Sequence, residues 1–200
     1  MSTNILIIGI DEVGRGCLAG PVVASACILN NNFPLEILNE IKDSKIISKK
    51  KREQLAEIIK NNSKYATAEV SCKEIDEINI LQASLKAMKL AWENLEKQLS
   101  ANEKNHVAIM VDGNKTFSSN YTIEAIVKGD SKIKAISASS IIAKTYRDDI
   151  MSKLGELHPE YAWNKNAGYG TKQHLEAISL HGITRHHRMS FAPIKCFLNK

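Results

Sequence analysis

A chain of 200 residues, 44% hydrophobic and 24% charged, can bury a sizeable core and is too apolar to be disordered. Lys and Arg outnumber Asp and Glu by 27 to 22, a net charge of +5 that tilts the surface toward polyanions without diagnosing nucleic acid. Cys17, Cys27, Cys72 and Cys196 form no Cys-x-x-Cys pair or other zinc spacing and, with no basic leader at the start of the chain, they read as reduced thiols of a cytoplasmic protein.

The apolar run Ile5 to Ile10 predicts a strand buried on both faces, and it stops at Asp11-Glu12. A glycine-rich turn follows, and Pro21 to Leu29 reads as the second strand. The low-charge stretch from Gly16 to Leu35 is broken by Gly20, Pro21 and Pro34, so no membrane span is expected there. Ser48 caps a basic helix reaching about Asn61, with Lys49 to Arg52 as a solvated face, and Tyr65 to Val70 reads as the third strand. Ser71-Cys72-Lys73-Glu74 is a capping box that opens a helical region. Beyond it Leu81, Leu85, Met88, Trp92, Leu95 and Leu99 form one apolar stripe of a long helix. Val107 to Val111 is a further buried strand ending at Asp112-Gly113, and Tyr121 to Lys128 reads as the last strand. A second long helix runs from about Ala135 to Leu154, with Pro159 just past its end and a short helix after Thr171. This order predicts an α/β fold with a mixed sheet, a catalytic domain over 1–155, and a loop-and-helix extension over 156–200 packed on it.

Buried strands thus run into Asp11-Glu12, Asp112 and, after Lys128-Gly129, Asp130. Any one acid at a strand end is an ordinary turn former or solvated charge. Sites in open α/β sheets gather at the carboxyl ends of strands, and four carboxylates brought together there repel one another unless cations sit between them. Oxygen ligands suit Mg²⁺ or Mn²⁺, and two such ions about 3.5–4 Å apart can activate water and hold a leaving oxygen in phosphoryl transfer. Adjacent residues of a strand face opposite ways, so the first strand must twist or end between Asp11 and Glu12 for both to serve one site. Lys144 and Arg147 lie three apart on a predicted helix and share a face, which suits phosphate binding or plain solvation. His186-His187 lacks the spacing of a helix-borne metal site and suits packing or a phosphate contact.

Gly9-Ile10-Asp11-Glu12-Val13-Gly14-Arg15-Gly16, with Leu18-Ala19-Gly20-Pro21-Val22, closely resembles the signature of the ribonuclease HII family. Further blocks follow in the family's order: Asp43-Ser44-Lys45 with Lys51-Arg52-Glu53, Val111-Asp112-Gly113, Lys128-Gly129-Asp130-Ser131-Lys132, Ser137 to Lys144 with Arg147-Asp148, Gly168-Tyr169-Gly170-Thr171, and His187 to Pro193. The resemblance covers nearly the whole chain. It implies an RNase H-like mixed sheet flanked by helices, with a small helical C-terminal extension. It implies that Asp11, Glu12, Asp112 and Asp130 are the acidic tetrad that binds Mn²⁺ or Mg²⁺. The substrates it implies are RNA–DNA hybrids and DNA duplexes with embedded ribonucleotides, cut on the 5′ side of a ribonucleotide to leave a 3′-hydroxyl and a 5′-phosphate, by a monomer.

Gly14, Arg15 and Gly16 let the backbone come close to a sugar and bond its 2′-hydroxyl, although a plain turn between strands needs the same glycines. Tyr169 resembles the family tyrosine that packs at the RNA–DNA junction; from chemistry alone it reads as a buried tyrosine. Lys45, Ser140, Lys144 and Arg147 complete the expected substrate contacts. Cys17, Val13 and Ser139 depart from the family's usual proline, alanine and alanine, and none of them removes a charge or a ligand. Type 3 ribonuclease H shares the fold but lacks the Gly-Arg-Gly form. A noncatalytic nucleic-acid-binding protein is the alternative of another class, and metal-dependent cleavage separates the two.

Overall fold

The structure is a computed structural model that describes residues 5–30, 32–41 and 47–198. Strands β1 (Leu6–Val13), β2 (Val22–Leu29), β3 (Ser63–Val70), β4 (Val107–Asp112) and β5 (Ile123–Ile126) form one sheet in the order β3-β2-β1-β4-β5. β1, β2 and β3 pair antiparallel, whereas β1–β4 and β4–β5 are parallel, giving the mixed sheet expected. β5 is shorter than the predicted Tyr121–Lys128 strand, because the chain turns left-handed at Lys128 (φ 56°) to open a 3₁₀ turn over Gly129–Ser131.

The helices are α1 (Leu35–Glu40), α2 (Lys49–Asn61), α3 (Cys72–Glu96), α4 (Ala101–Lys104), α5 (Lys134–Leu157), α6 (Trp163–Asn166), α7 (Lys172–His181) and α8 (Ala192–Leu198). One sheet face carries Ile8, Ile10, Val22, Ala24, Ile109 and Val111 and packs on α3. Ser71 caps α3 by accepting the Glu74 amide, as the sequence predicts. The helix is interrupted at Asn79 (φ 66°), whose Oδ1 accepts the Leu81 and Gln82 amides and restarts it. The buried stripe runs through Ala83, Ala87, Ala91, Met88, Trp92 and Leu95, while Leu81 and Leu85 lie at its margin. Three alanines, Ala83, Ala87 and Ala91, share this buried side with Met88, Trp92 and Leu95, and their small side chains let helix and sheet approach closely there.

The other face is covered by α2 and α5, where Leu55, Ile59, Ala138, Ile141 and Ile142 pack with Cys27. A Cβ at Gly9 would overlap the Ala135–Ile136 peptide, so α5 lies directly against the backbone of β1. The Ser139 hydroxyl fastens that contact by donating to the Gly9 carbonyl at 2.6 Å. Arg52 departs from the solvated face predicted for Lys49 to Arg52. It is buried and reaches Asp148 on α5 at 3.0 Å, because α2 packs on α5 along that side.

Beyond α5, Tyr161, Trp163, Ile178 and Ile194 gather with Leu18, Ala19 and Met151 in a third cluster. The C-terminal segment is thereby built onto the turn that follows β1. Among the described residues no helix is long and apolar enough to cross a membrane.

Candidate active site

β1 pairs with β4 only as far as Ile10↔Val111, but stays paired with β2 to Val13↔Val23. From Asp11 onward its β4-side edge is open, and β4 turns away at Gly113 (φ 102°). The Glu12 amide on this stretch donates to the Asp11 carboxylate at 2.8 Å. That bond holds the Asp11 carboxylate beside its own strand, and β1 runs on through both acids to Val13.

Asp112, at the last position of β4, accepts the Gly129 amide at 2.6 Å, which ties β4 to the 3₁₀ turn carrying Asp130. A Cβ at Gly129 would come within 2.6 Å of Ile136 Cδ1, 3.2 Å of Ile126 Cβ and 3.4 Å of Asp112 Oδ1, so the turn is closely packed between β5 and α5. The Ser137 hydroxyl donates to the Asp130 carbonyl at 2.6 Å and holds the turn from α5. Carboxylate oxygens of Asp11, Asp112 and Asp130 consequently lie within 4.8 Å of one another, with Asp11 and Asp130 buried.

Glu12 stands beside this trio. Its Oε1 accepts from Arg15 Nη1 at 3.1 Å, and its Oε2 is buried without a hydrogen-bond partner among the described residues. Burial, then the charges of Glu12 and Asp112, push the Asp11 carboxyl well above its ordinary range, against a lowering hydrogen bond from Ser140. Burial also raises Glu12, with Arg15 pulling it back and Asp112 adding to the rise. Both acids are therefore costly as anions in this setting, and a cation held by them would relieve that cost. A seat of carboxylate oxygens with an orphaned acceptor at its margin suits a divalent cation.

The expected substrate residues divide. Gly14 (φ 93°) lies over the Arg147 side chain, leaving no room for a Cβ, while Arg15 and Gly16 are exposed. Tyr169 is exposed rather than buried, at 46%, and its ring borders Gly16. Ser140 is buried beside Asp11 and orients it. Lys144 is half-buried and pairs with Asp148 at 2.6 Å. Lys45 lies outside the described residues.

Arg147 requires a correction: its guanidinium does not face phosphate. It is fully buried and donates to the carbonyls of Pro21, Ala167 and Ala19 at 2.9–3.0 Å. The C-terminal segment covers that face of α5, and the loop carbonyls there need donors.

Sequence reasoning missed Arg188, also fully buried, which donates to the carbonyls of Gly14, Arg15 and Gly20 at 2.6–3.0 Å. It also missed Ser137 and the anchoring part of Ser139. Small hydroxyls amid the Ile and Ala of a buried helix face were the available signal.

A mixed sheet of this order, with carboxylates converging where parallel neighbours end, defines a ribonuclease H-like hydrolase with a seat for a divalent cation. The ribonuclease HII family profile matches residues 8–194. Ribonuclease HII of Pelagibacter ubique is 48% identical over 194 residues, spanning 96% of this chain and 99% of that one. The chain superposes on the RNase HII solved in a complex with PCNA from Archaeoglobus fulgidus, with a TM-score of 0.75, 25% identity, and 94% and 95% of the two chains covered. Bst-RNase HIII in complex with Mn²⁺ shares the fold at a TM-score of 0.73 but only 20% identity, with 98% of this chain and 70% of that one covered. This chain belongs to the ribonuclease HII family.

Proposed function

We propose that this ribonuclease HII-type endoribonuclease, which acts on RNA–DNA hybrids, also cuts duplex DNA on the 5′ side of an embedded ribonucleotide, leaving a 3′-hydroxyl and a 5′-phosphate. The observation that carries the reading is the convergence of Asp11, Asp112 and Asp130 beside the unpartnered Glu12 oxygen. These four acids would hold Mn²⁺ or Mg²⁺, two ions during turnover. When bound, the metal supplies charge stabilisation for the phosphate and lowers the pKa of the attacking water.

The remaining roles belong to the chain. The Gly129 amide, Ser137 and Ser140 set the directions of the acids. Arg188 takes the carbonyls of Gly14 and Arg15, so the exposed side of the turn is left to bond the ribose 2′-hydroxyl. The exposed ring of Tyr169 packs against the nucleotide at the junction, and Arg15, Lys45 and Lys144 meet backbone phosphates. The enzyme works as a cytoplasmic monomer. A purely noncatalytic nucleic-acid binder is disfavoured, since clustered carboxylates beside the ligand would repel it.

The test is an end-labelled duplex with one ribonucleotide, incubated with Mn²⁺ or Mg²⁺ and again with chelator. The expected result is one metal-dependent nick 5′ of the ribonucleotide with the stated ends; a nick that survives chelation, or none at all, refutes the proposal.

A further inference from the structure

Tyr169 is held by its backbone. Its amide donates to the Asn166 carbonyl at 2.9 Å, and its carbonyl accepts the Thr171 amide at 2.8 Å. The same carbonyl is met by Nδ1 of His174 on α7 at 2.9 Å. A carbonyl can only accept, so His174 carries its proton on Nδ1, and its Nε2 is an acceptor. Consistently, Nε2 of His174 takes the Trp163 indole N–H at 2.9 Å and faces Nε2 of His187 at 3.2 Å. His187 in turn uses Nδ1 to accept the Thr184 amide at 3.0 Å, which leaves its proton on Nε2, pointing at His174.

The Tyr169 carbonyl fixes the His174 proton on Nδ1 and the Thr184 amide fixes the His187 proton on Nε2, while Trp163 and His187 share the single Nε2 lone pair of His174, the indole being the nearer. A second proton on either ring would set donor against donor, and burial holds both imidazoles neutral, with His187 brought down to about 4. The surrounding rings and charges are Tyr161, His158 with Glu160, and His186 with Arg185; none supplies an anion to either ring of the pair. At the far end, burial and then the neighbouring Cys17 push the Tyr169 hydroxyl above its ordinary range.

We propose that His174 and His187 are positioning residues for Tyr169: a neutral imidazole pair of fixed tautomers holds the tyrosine backbone so that its ring stays beside Gly16, and this sets the preference for single-ribonucleotide junctions. The inference rests on the reading of Tyr169 as the residue that packs at the junction. Neither histidine touches substrate; both act through the Tyr169 carbonyl.

The measured quantity is the ratio of kcat/KM on a one-ribonucleotide duplex to that on a long RNA–DNA hybrid. His174→Phe keeps a ring and loses both the Nδ1 donor and the Nε2 acceptor, and the ratio should fall at least about tenfold, the size of the lost buried hydrogen bond to Tyr169. His174→Asn loses the same Nε2 acceptor but puts an amide N–H where Nδ1 was, and should restore the ratio to within about twofold of the unaltered chain. If His174→Phe does not fold, His174→Gln, whose amide lies one bond too far out, takes its place with the same expectation. Tyr169→Ala is the reference: should it spare the ratio, the reading of Tyr169 fails. Should it lower the ratio while His174→Phe or His174→Gln leaves it unchanged, the present inference fails alone. Imidazole ¹⁵N spectra should show His174 protonated at Nδ1 and His187 at Nε2, both neutral at neutral pH, with the His174 midpoint below the ordinary imidazole value. The opposite tautomers, or a charged ring at neutral pH, would overturn the assignment.

Discussion

Gly16 separates two reasons for a glycine beside an active site. A Cβ added there would meet the Tyr169 ring at 3.9 Å, an ordinary contact, and Gly16 is not among the positive-φ glycines. Gly16→Ala should therefore fold normally, within about 0.5 kcal/mol of the unaltered chain. At 2–4 °C per kcal/mol for a chain of this size, the melting point should move by about 1–2 °C or less. The new methyl group nevertheless occupies the gap between turn and tyrosine that the ribose is proposed to enter. A displacement of about 1 Å at a reacting phosphate costs on the order of a hundredfold in rate, so kcat/KM on a one-ribonucleotide duplex should fall by at least that much. Gly9→Ala supplies the contrast: its Cβ overlaps the Ala135–Ile136 peptide, which must move with α5. That overpacking costs about 3 kcal/mol, or roughly 6–12 °C in melting point. Scanning calorimetry and single-turnover cleavage measure the two effects. Gly16→Ala with unaltered cleavage would refute the placement of the sugar.

Three further outcomes are expected. Asp112→Asn keeps an acceptor for the Gly129 amide, so the fold should survive while cleavage drops by more than about a hundredfold, since even the outer partners of metal ligands are worth ten- to a hundredfold; near-full activity would remove Asp112 from the site. Asp11 and Glu12 are raised in the folded state, so between the ordinary carboxylate range and their raised values the folded chain binds more protons than the unfolded one. Metal-free stability should accordingly fall as pH rises through that window, a slope that Mn²⁺ or Asp11→Asn flattens; melting curves from about pH 5 to about pH 8 in chelator check this, and a slope of opposite sign would contradict it. Tyr169→Ala should harm cleavage at single ribonucleotides more than cleavage of long hybrids, and equal losses in a side-by-side assay would count against the junction role.

Periodicity alone placed β1 and β4, whose apolar runs lead into Asp11 and Asp112, although β1 continues past the predicted stop at Asp11 to Val13. It could not show how Asp11 comes to meet Asp112 and Asp130. That depends on β4 stopping short of β1 and on an amide left free to bond Asp11, which are properties of two strands together. The same limit explains Arg147. Helical spacing puts it on one face with Lys144, but it is the distant segment around Ala167 that decides whether this face is wet. The break at Asn79 had no warning in its neighbours, since Ile-Asn-Ile-Leu reads as continuous helix. Cross-chain partners, rather than local pattern, were what sequence could not supply.

The bonds from Arg188 back to Gly14, Arg15 and Gly20 join groups 168 to 174 positions apart. As a ribosome makes this chain, every carboxylate of the cluster emerges before the guanidinium that organises the neighbouring turn. The turn after β1 thus gains its buried guanidinium only after all three acids of the cluster, Asp130 included, have been made.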